Sequence, residues 1–156
     1  MSLTVVIPAY NEEQRIEVTL TETIAFLNEK QQKDRSFTYE VIVVDDCSVD
    51  RTVDVVLDAV KRYSIDHIRL LELQHNHGKG GAIRKGVMRA RGEFVLFADA
   101  DNATEIRDYD KLARVLEDVK AVDRMELWCV AVAPIWKNRR LPSVTRYETC
   151  SCTGST

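Results

Sequence analysis

Hydrophobic positions follow two rhythms in alternation along this chain. Leu3-Thr4-Val5-Val6-Ile7 is a short, β-branched apolar run stopped by Pro8, which reads as a buried strand. Ile16, Leu20, Ile24 and Leu27 then recur at helical spacing. Asn11 is placed to cap that helix, and Glu12 and Glu13 suit its positive N-terminal end. The polar stretch Gln31–Ser36 connects to Val41-Ile42-Val43-Val44, a second buried strand that ends in Asp45 and Asp46. Ser48 or Asp50 can cap a second helix, whose apolar stripe is Val53, Val56, Leu57 and Val60. A third strand, Ile68–Leu73, leads through His75-Asn76-His77-Gly78-Lys79-Gly80-Gly81 into a helix with Ile83 and Val87 on one face. Phe94–Ala98 is a fourth strand. Asp99–Thr104 follows it, and a last helix carries Leu112, Val115, Leu116 and Val119.

Strand and helix alternate four times, and each connection is long enough for a parallel crossover. The pattern predicts an α/β fold, a Rossmann-like and mainly parallel sheet flanked by helices. Ligands of such sheets bind beyond the carboxyl ends of the strands. Polar clusters follow all four strands: Tyr10-Asn11-Glu12, Asp45-Asp46, the Gly-Lys loop and Asp99/Asp101. The topology should bring them to one edge of the sheet. From about Met125 the character changes, and Trp136–Thr156 is rich in Arg, Ser and Thr without periodicity. The expected division is a folded part, residues 1–125, and a divergent, poorly ordered tail, residues 126–156.

Asp99 and Asp101 are carboxylates one residue apart at a strand end, where both can approach one divalent cation. Hard oxygen ligands suit Mg²⁺ or Mn²⁺, which keep waters and bind substrate phosphates as well. Such a metal would neutralise a departing diphosphate. A solvated acidic turn is the bland alternative, and the preceding all-apolar strand and the other clusters favour the metal. Asp45 and Asp46 could form a carboxylate pair, but adjacent strand residues point to opposite faces and should not share a proton. Accepting a hydrogen bond from a base N–H suits one of them better, with capping of the next helix as the structural alternative. Gly78-Lys79-Gly80-Gly81 resembles a phosphate cradle. Lys79 and Arg84 supply positive charge, and the glycines allow close backbone approach. It is not a P-loop, since the first glycine is absent and no Ser or Thr follows Lys79. Nor is it G-x-G-x-x-G, which belongs after the first strand. A flexible turn with solvated bases is its alternative. No Ser-His-Asp or Cys-His arrangement is indicated.

The formal net charge of −3 argues against a general nucleic-acid binder. The longest apolar run, Leu127–Ile135, falls far short of the roughly 20 residues that cross a bilayer. No signal-peptide pattern precedes Leu3. Read by itself, the chain is expected to be soluble and cytoplasmic. Cys47, Cys129, Cys150 and Cys152 match no zinc spacing and read as free thiols in a reducing compartment. His75 and His77 alone make a poor metal site.

Four segments together resemble family 2 glycosyltransferases of the GT-A fold. They are Val6-Ile7-Pro8-Ala9-Tyr10-Asn11-Glu12, Val43–Thr52, Asn76–Arg84 and Ala98-Asp99-Ala100-Asp101-Asn102-Ala103-Thr104. The Gly-Lys-Gly-Gly-Ala-Ile-Arg and Asp-Ala-Asp-x-Ala-Thr versions are similar to those of dolichyl-phosphate β-glucosyltransferases, whereas the related mannosyltransferases usually differ in both places. The resemblance covers about Leu3–Val119. It implies that residues 1–125 are the nucleotide-sugar-binding part of such a fold. It implies an inverting hexosyltransferase that moves glucose from UDP-glucose to dolichyl phosphate in the membrane. The product would be dolichyl β-D-glucosyl phosphate for N-glycan precursor assembly, made at the cytosolic face of the endoplasmic reticulum.

By the same resemblance, Pro8, Ala9, Tyr10 and Glu12 would line the nucleoside pocket, with Tyr10 near the base and Glu12 near the ribose. Val44 and Asp46 would hold the uracil edge, and Lys79 and Arg84 would sit near the base or diphosphate. Asp99, Ala100 and Asp101 would hold the metal, Mg²⁺ or Mn²⁺, and the donor phosphates, with Asp99 and Asp101 as the catalytic pair. The acceptor is already an anion and needs no strong base, so positioning and leaving-group stabilisation can carry catalysis. Cys47 and Asn102 each stand where the family usually has glycine. If either backbone needs positive φ, asparagine tolerates it far better than cysteine. Ala133-Pro134-Ile135 stands where the family usually has Gly-Ser-Arg after an expected fifth strand, and the N-terminal membrane helix usual in the family is not expected within these residues. Two alternative readings are a truncated donor-binding fragment without turnover, and a related transferase using GDP-mannose or another acceptor.

Overall fold

Short runs of β-branched and aromatic residues form the strands of this computed structural model, which describes residues 1–101, 106–114 and 130–132. They are β1 (Leu3–Ala9), β2 (Tyr39–Asp45), β3 (Ile68–Glu72), β4 (Phe94–Phe97) and β5 (Val130–Val132). The segments with helical periodicity form α1 (Ile16–Lys33), α2 (Thr52–Tyr63) and α3 (Gly78–Val87), and Ile106–Asp108 makes a 3-10 turn. The sheet order is β3-β2-β1-β4-β5. Every pairing in it is parallel. The α/β architecture expected from the sequence is the one found.

Period-two alternation assigns each strand residue to a face. Leu3, Val5, Ile7, Val41 and Val43 pack with Ile16, Leu20, Ile24 and Leu27 of α1 and with Val56 and Ala59 of α2. Val6, Ile42, Val44, Val95 and Phe97 pack on the other face with Ala82, Ile83 and Val87 of α3. Both faces are thus covered, which is why the strands read as continuous apolar runs. Leu20 and Leu27 are wholly buried, and each such side chain contributes about 1.5–3 kcal/mol relative to exposure.

The structure differs from the sequence reading at several boundaries. β1 continues through Pro8 to Ala9, because β4 pairs with β1 only as far as Val6. Asn11 does not cap α1. The helix begins at Ile16 after a turn closed by the Arg15 and Ile16 N–H groups on the Glu12 carbonyl, 3.0 and 2.9 Å away. At its other end α1 absorbs Gln31, Gln32 and Lys33. The Gly-Lys-Gly-Gly segment is the first turn of α3 rather than a loop before it. β5 falls within residues 126–156 and extends the sheet past residue 125. Residues 133–156 lie outside the described residues, as do Asn102, Val115, Leu116, Val119 and Cys129.

Candidate functional site

The carboxyl ends of β1, β2 and β4 and the start of α3 surround one cavity of about 420 Å³. Pro8 and Ala9 line it from β1, Tyr10 and Glu12 from the loop after β1, and Asp46 from just beyond β2. Asn76, Gly78, Lys79 and Ala82 come from the β3–α3 connection and α3, and Asp99, Ala100 and Asp101 from the end of β4. Parallel strands place all their carboxyl ends on one edge, so residues distant in sequence converge there. Nine of the residues expected to form the site line this cavity: Pro8, Ala9, Tyr10, Glu12, Asp46, Lys79, Asp99, Ala100 and Asp101.

Two expected residues lie elsewhere. Val44 is wholly buried, in the same core cluster as Ala82. Arg84 is exposed on α3, outside the cavity lining. Asn76, Gly78 and Ala82 line the cavity without having been singled out as site residues. Their signal was present in the glycine-rich segment, but only the three-dimensional turn shows which of its residues face inward.

The last residue of β2 and its successor separate as their alternation requires. Asp45 turns its Oδ2 to the Ser48 N–H at 3.1 Å, whereas Asp46 reaches the cavity and accepts the His77 N–H on Oδ1 at 2.8 Å. That bond fixes Asp46 against the entry to α3. Gly81 lets this turn close, since a Cβ there would lie 2.6 Å from the His77 Cβ. Lys79, in the first turn of α3, forms an ion pair with Asp99.

The Asp99–Asp101 segment is anchored at two main-chain points. The Ala98 N–H donates to the Val6 carbonyl at 3.0 Å. Thr19 of α1 donates its hydroxyl to the Ala100 carbonyl at 2.8 Å. Ala100 is buried, and Asp99 and Asp101 flank it on the cavity wall. Thr19 had no signal in the sequence, because its partner is 81 positions away.

Tyr10 is half exposed and lines the cavity. Glu12 is held in a two-pronged pair with Arg15, Nη2 to Oε1 at 2.8 Å and Nε to Oε2 at 2.7 Å. Among the described residues, no three metal-ligating side chains cluster. Four carboxylates line the cavity, Glu12, Asp46, Asp99 and Asp101, and of these Asp99 and Asp101 stand one residue apart after β4. Such a pair of hard-oxygen ligands fits Mg²⁺ or Mn²⁺, which take their remaining ligands from phosphates and water. Among the described residues, no helix is long and apolar enough to cross a membrane.

Comparison with known proteins gives a consistent picture. The family model described as Glycosyl transferase family 2 matches residues 4–149, beyond the Val119 limit of the motif resemblance. The dolichyl-phosphate beta-glucosyltransferase of Drosophila melanogaster is 51% identical over 119 residues, covering 76% of this chain and 36% of the relative. That of Homo sapiens is 48% identical over 118 residues, with the same two coverages, 76% and 36%. The chain thus spans about a third of the length of these curated relatives. A mannosyltransferase from Pyrobaculum calidifontis, solved with GDP-Man and Mn²⁺, superposes with a TM-score of 0.59 at 31% identity over 74% of this chain and 31% of that one. S. aureus TarS 1–349 in complex with UDP-GlcNAc superposes with a TM-score of 0.55 at 28% identity, covering 76% and 32%.

Proposed function

This chain belongs to glycosyl transferase family 2, and from that premise we propose that it builds the donor half of a transferase moving glucose from UDP-glucose to dolichyl phosphate with inversion. One observation carries the reading: Asp99 and Asp101 share a cavity with Tyr10, Asp46 and Lys79 at the carboxyl edge of a parallel sheet. The names of these curated relatives support the donor sugar and the lipid acceptor.

Each residue takes a role its chemistry suits. Tyr10, half exposed on the cavity wall, stacks its ring on the uracil face, and Asp46 accepts the base N–H. Glu12, oriented by Arg15, faces the ribose hydroxyls. Lys79 leaves Asp99 for the donor diphosphate, a compact cation against an anion. Val44 supports the base edge from within the core, and Arg84 contributes only long-range attraction for the donor. Asp99 and Asp101 would hold Mg²⁺ or Mn²⁺, which when bound supplies charge neutralisation for the UDP leaving group. The acceptor phosphate oxygen attacks the anomeric carbon opposite the departing UDP, which inverts that centre. The attacking group is already an anion, so no side chain has to remove a proton.

Dolichyl phosphate as acceptor would place the reaction at a membrane surface, and the motif resemblance, rather than the relatives' names, implies the cytosolic face of the endoplasmic reticulum. Calorimetry with UDP-glucose, with and without Mn²⁺, tests the site. Binding should require the metal, and Asp101→Ala should lose it. Equal binding with and without metal would sink the proposed site. Competition between UDP and GDP tests the donor, and a preference for GDP would point to a guanosine sugar such as the one bound by the Pyrobaculum neighbour.

A further inference from the structure

The loop between β1 and α1 carries Tyr10 and Glu12, yet the bonds that fix it come from the loop between β2 and α2. Three successive main-chain N–H groups are each held by a side chain of that second loop or of Thr52, the first residue of α2. Asn11 donates to Ser48 Oγ at 2.9 Å, Glu12 to Thr52 Oγ1 at 2.8 Å, and Glu13 to Asp50 Oδ2 at 3.1 Å. Two bonds return. The Val49 N–H donates to Asn11 Oδ1 at 2.9 Å and the Arg51 N–H to Glu13 Oε2 at 3.0 Å. Thr52 is wholly buried and links the set, passing its own hydroxyl proton to Asp50 Oδ1 at 2.5 Å.

These bonds close around a left-handed turn that asparagine tolerates. Asn11 sits at φ 56°, in the left-handed region. Its neighbours on either side, Tyr10 and Glu12, both line the cavity. Free N–H groups at a first strand-to-helix crossover commonly receive a ligand's phosphate. Here Asp50, Ser48 and Thr52 occupy those donors from within the protein. The first crossover is thereby left to meet the nucleoside, while the diphosphate is met by Lys79 and the Asp99–Asp101 edge.

We propose that Ser48, Asp50 and Thr52 are positioning residues for the nucleoside: by holding the Asn11, Glu12 and Glu13 N–H groups they set Tyr10 and Glu12 against the base and ribose. The inference rests on the donor-site reading above and adds to it residues that do not touch the donor. Thr52→Val keeps the side-chain shape and removes the acceptor, which leaves the Glu12 N–H without its partner.

Titration of the whole chain in the presence of Mn²⁺, with UDP and with inorganic diphosphate, separates positioning from general loosening. Thr52→Val should bind UDP about tenfold more weakly, the equivalent of one buried donor left unpaired. Its binding of diphosphate should not change, and Thr52→Ser should restore UDP binding to near the parent value. UDP binding at parent strength in folded Thr52→Val would overturn the proposal, and so would equal losses for UDP and diphosphate. Should Thr52→Val fail to fold, Ser48→Ala takes its place, because it removes one acceptor on an exposed bond. About a threefold loss for UDP alone is expected there, and an unchanged affinity overturns the proposal. Tyr10→Ala and Asp46→Asn separate the two levels. If both bind UDP like the parent protein, the donor site itself is misplaced and the proposal falls with it. If they lose UDP while Thr52→Val and Ser48→Ala do not, only the positioning role fails.

Discussion

At the scale of single residues, Cys47 is the residue least suited to its place. Its φ of 67° lies in the left-handed region, which costs a residue with a Cβ about 1–2 kcal/mol. Its neighbours impose that turn, since the Ser48 N–H is held by Asp45 and the Ser48 hydroxyl receives the Asn11 N–H. The Cys47 thiol gains little in return, reaching only the Gln74 carbonyl at 3.8 Å. Cys47→Gly should therefore stabilise the protein by about 0.5–1 kcal/mol, relief of strain outweighing the added backbone freedom of glycine. Urea unfolding at neutral pH reads this directly, and a lower midpoint in the variant would show that the turn is unstrained. Asn11, with a similar φ of 56°, needs no such relief, because asparagine tolerates the region and its side chain bonds Val49. The family comparison with glycine made the Cys47 strain legible in the sequence. Tyr10, Glu12, Asp46, Asp99 and Asp101 were legible for another reason, as polar residues soon after apolar strands, and Lys79 through the glycine-rich segment that carries it. Thr19 and Thr52 were not, because each acts through a main-chain partner 81 or 40 positions away.

At the scale of elements, strands were easier to read than helix starts. A buried parallel strand announces itself by composition, whereas the start of a helix here is set by contacts from other parts of the chain. α1 begins four residues later than its acidic cluster suggested, because the Asn11, Glu12 and Glu13 N–H groups are drawn to Ser48, Thr52 and Asp50 instead. α3 begins at Gly78, where Asn76 accepts the Gly78 N–H at 2.9 Å in a turn that leads into the helix. The same helix depends on Gly86 for its seat on the sheet. A Cβ at that position would meet Val6 and would lie 2.9 Å from Val44 Cγ2, both of them wholly buried. Neither side chain has room to move in a close-packed core, so Gly86→Ala must lift α3 from β1 and β2. The expected cost is about 1–3 kcal/mol of stability. α3 also carries Lys79 into the cavity, so donor affinity measured on the folded variant should fall as well. Thermal unfolding together with UDP titration checks both effects, and an unchanged melting temperature would mean that the helix is seated less tightly than these distances require.

At the scale of the whole molecule, the two ends of the sheet do different work. The carboxyl end gathers the cavity, and the amino end is tied by one buried carboxylate. Glu40, the second residue of β2, has no exposed side-chain surface. It accepts the Thr4 hydroxyl of β1 at 2.9 Å, Arg69 Nη1 of β3 at 2.9 Å, and both the N–H of Arg91 at 2.8 Å and its Nε at 2.9 Å. The Thr4 hydroxyl in turn accepts the Gly92 N–H at 2.8 Å, just before β4. One side chain therefore joins three strands to the turn that begins a fourth, far from the donor cavity. Burial would raise the Glu40 pKa, but the hydrogen bonds from Arg91, Arg69 and Thr4 outweigh it and hold it below the ordinary glutamate value. A carboxylate with a lowered folded pKa stabilises the protein above its unfolded pKa of about 4.3, and that contribution disappears as pH falls through the folded value. Glu40→Gln should cost about 2 kcal/mol at pH 7, less than the roughly 3–5 kcal/mol of a fully buried broken pair because both arginines are partly exposed and can rehydrate. The gap between parent and variant in urea unfolding should narrow steadily as the pH is lowered below about 4. UDP affinity of the folded variant should match that of the parent, since no Glu40 contact reaches the cavity edge. A stability gap that stayed constant with pH would assign the effect to lost packing rather than to the charge, and would remove Glu40 as the electrostatic tie at the amino end of the sheet.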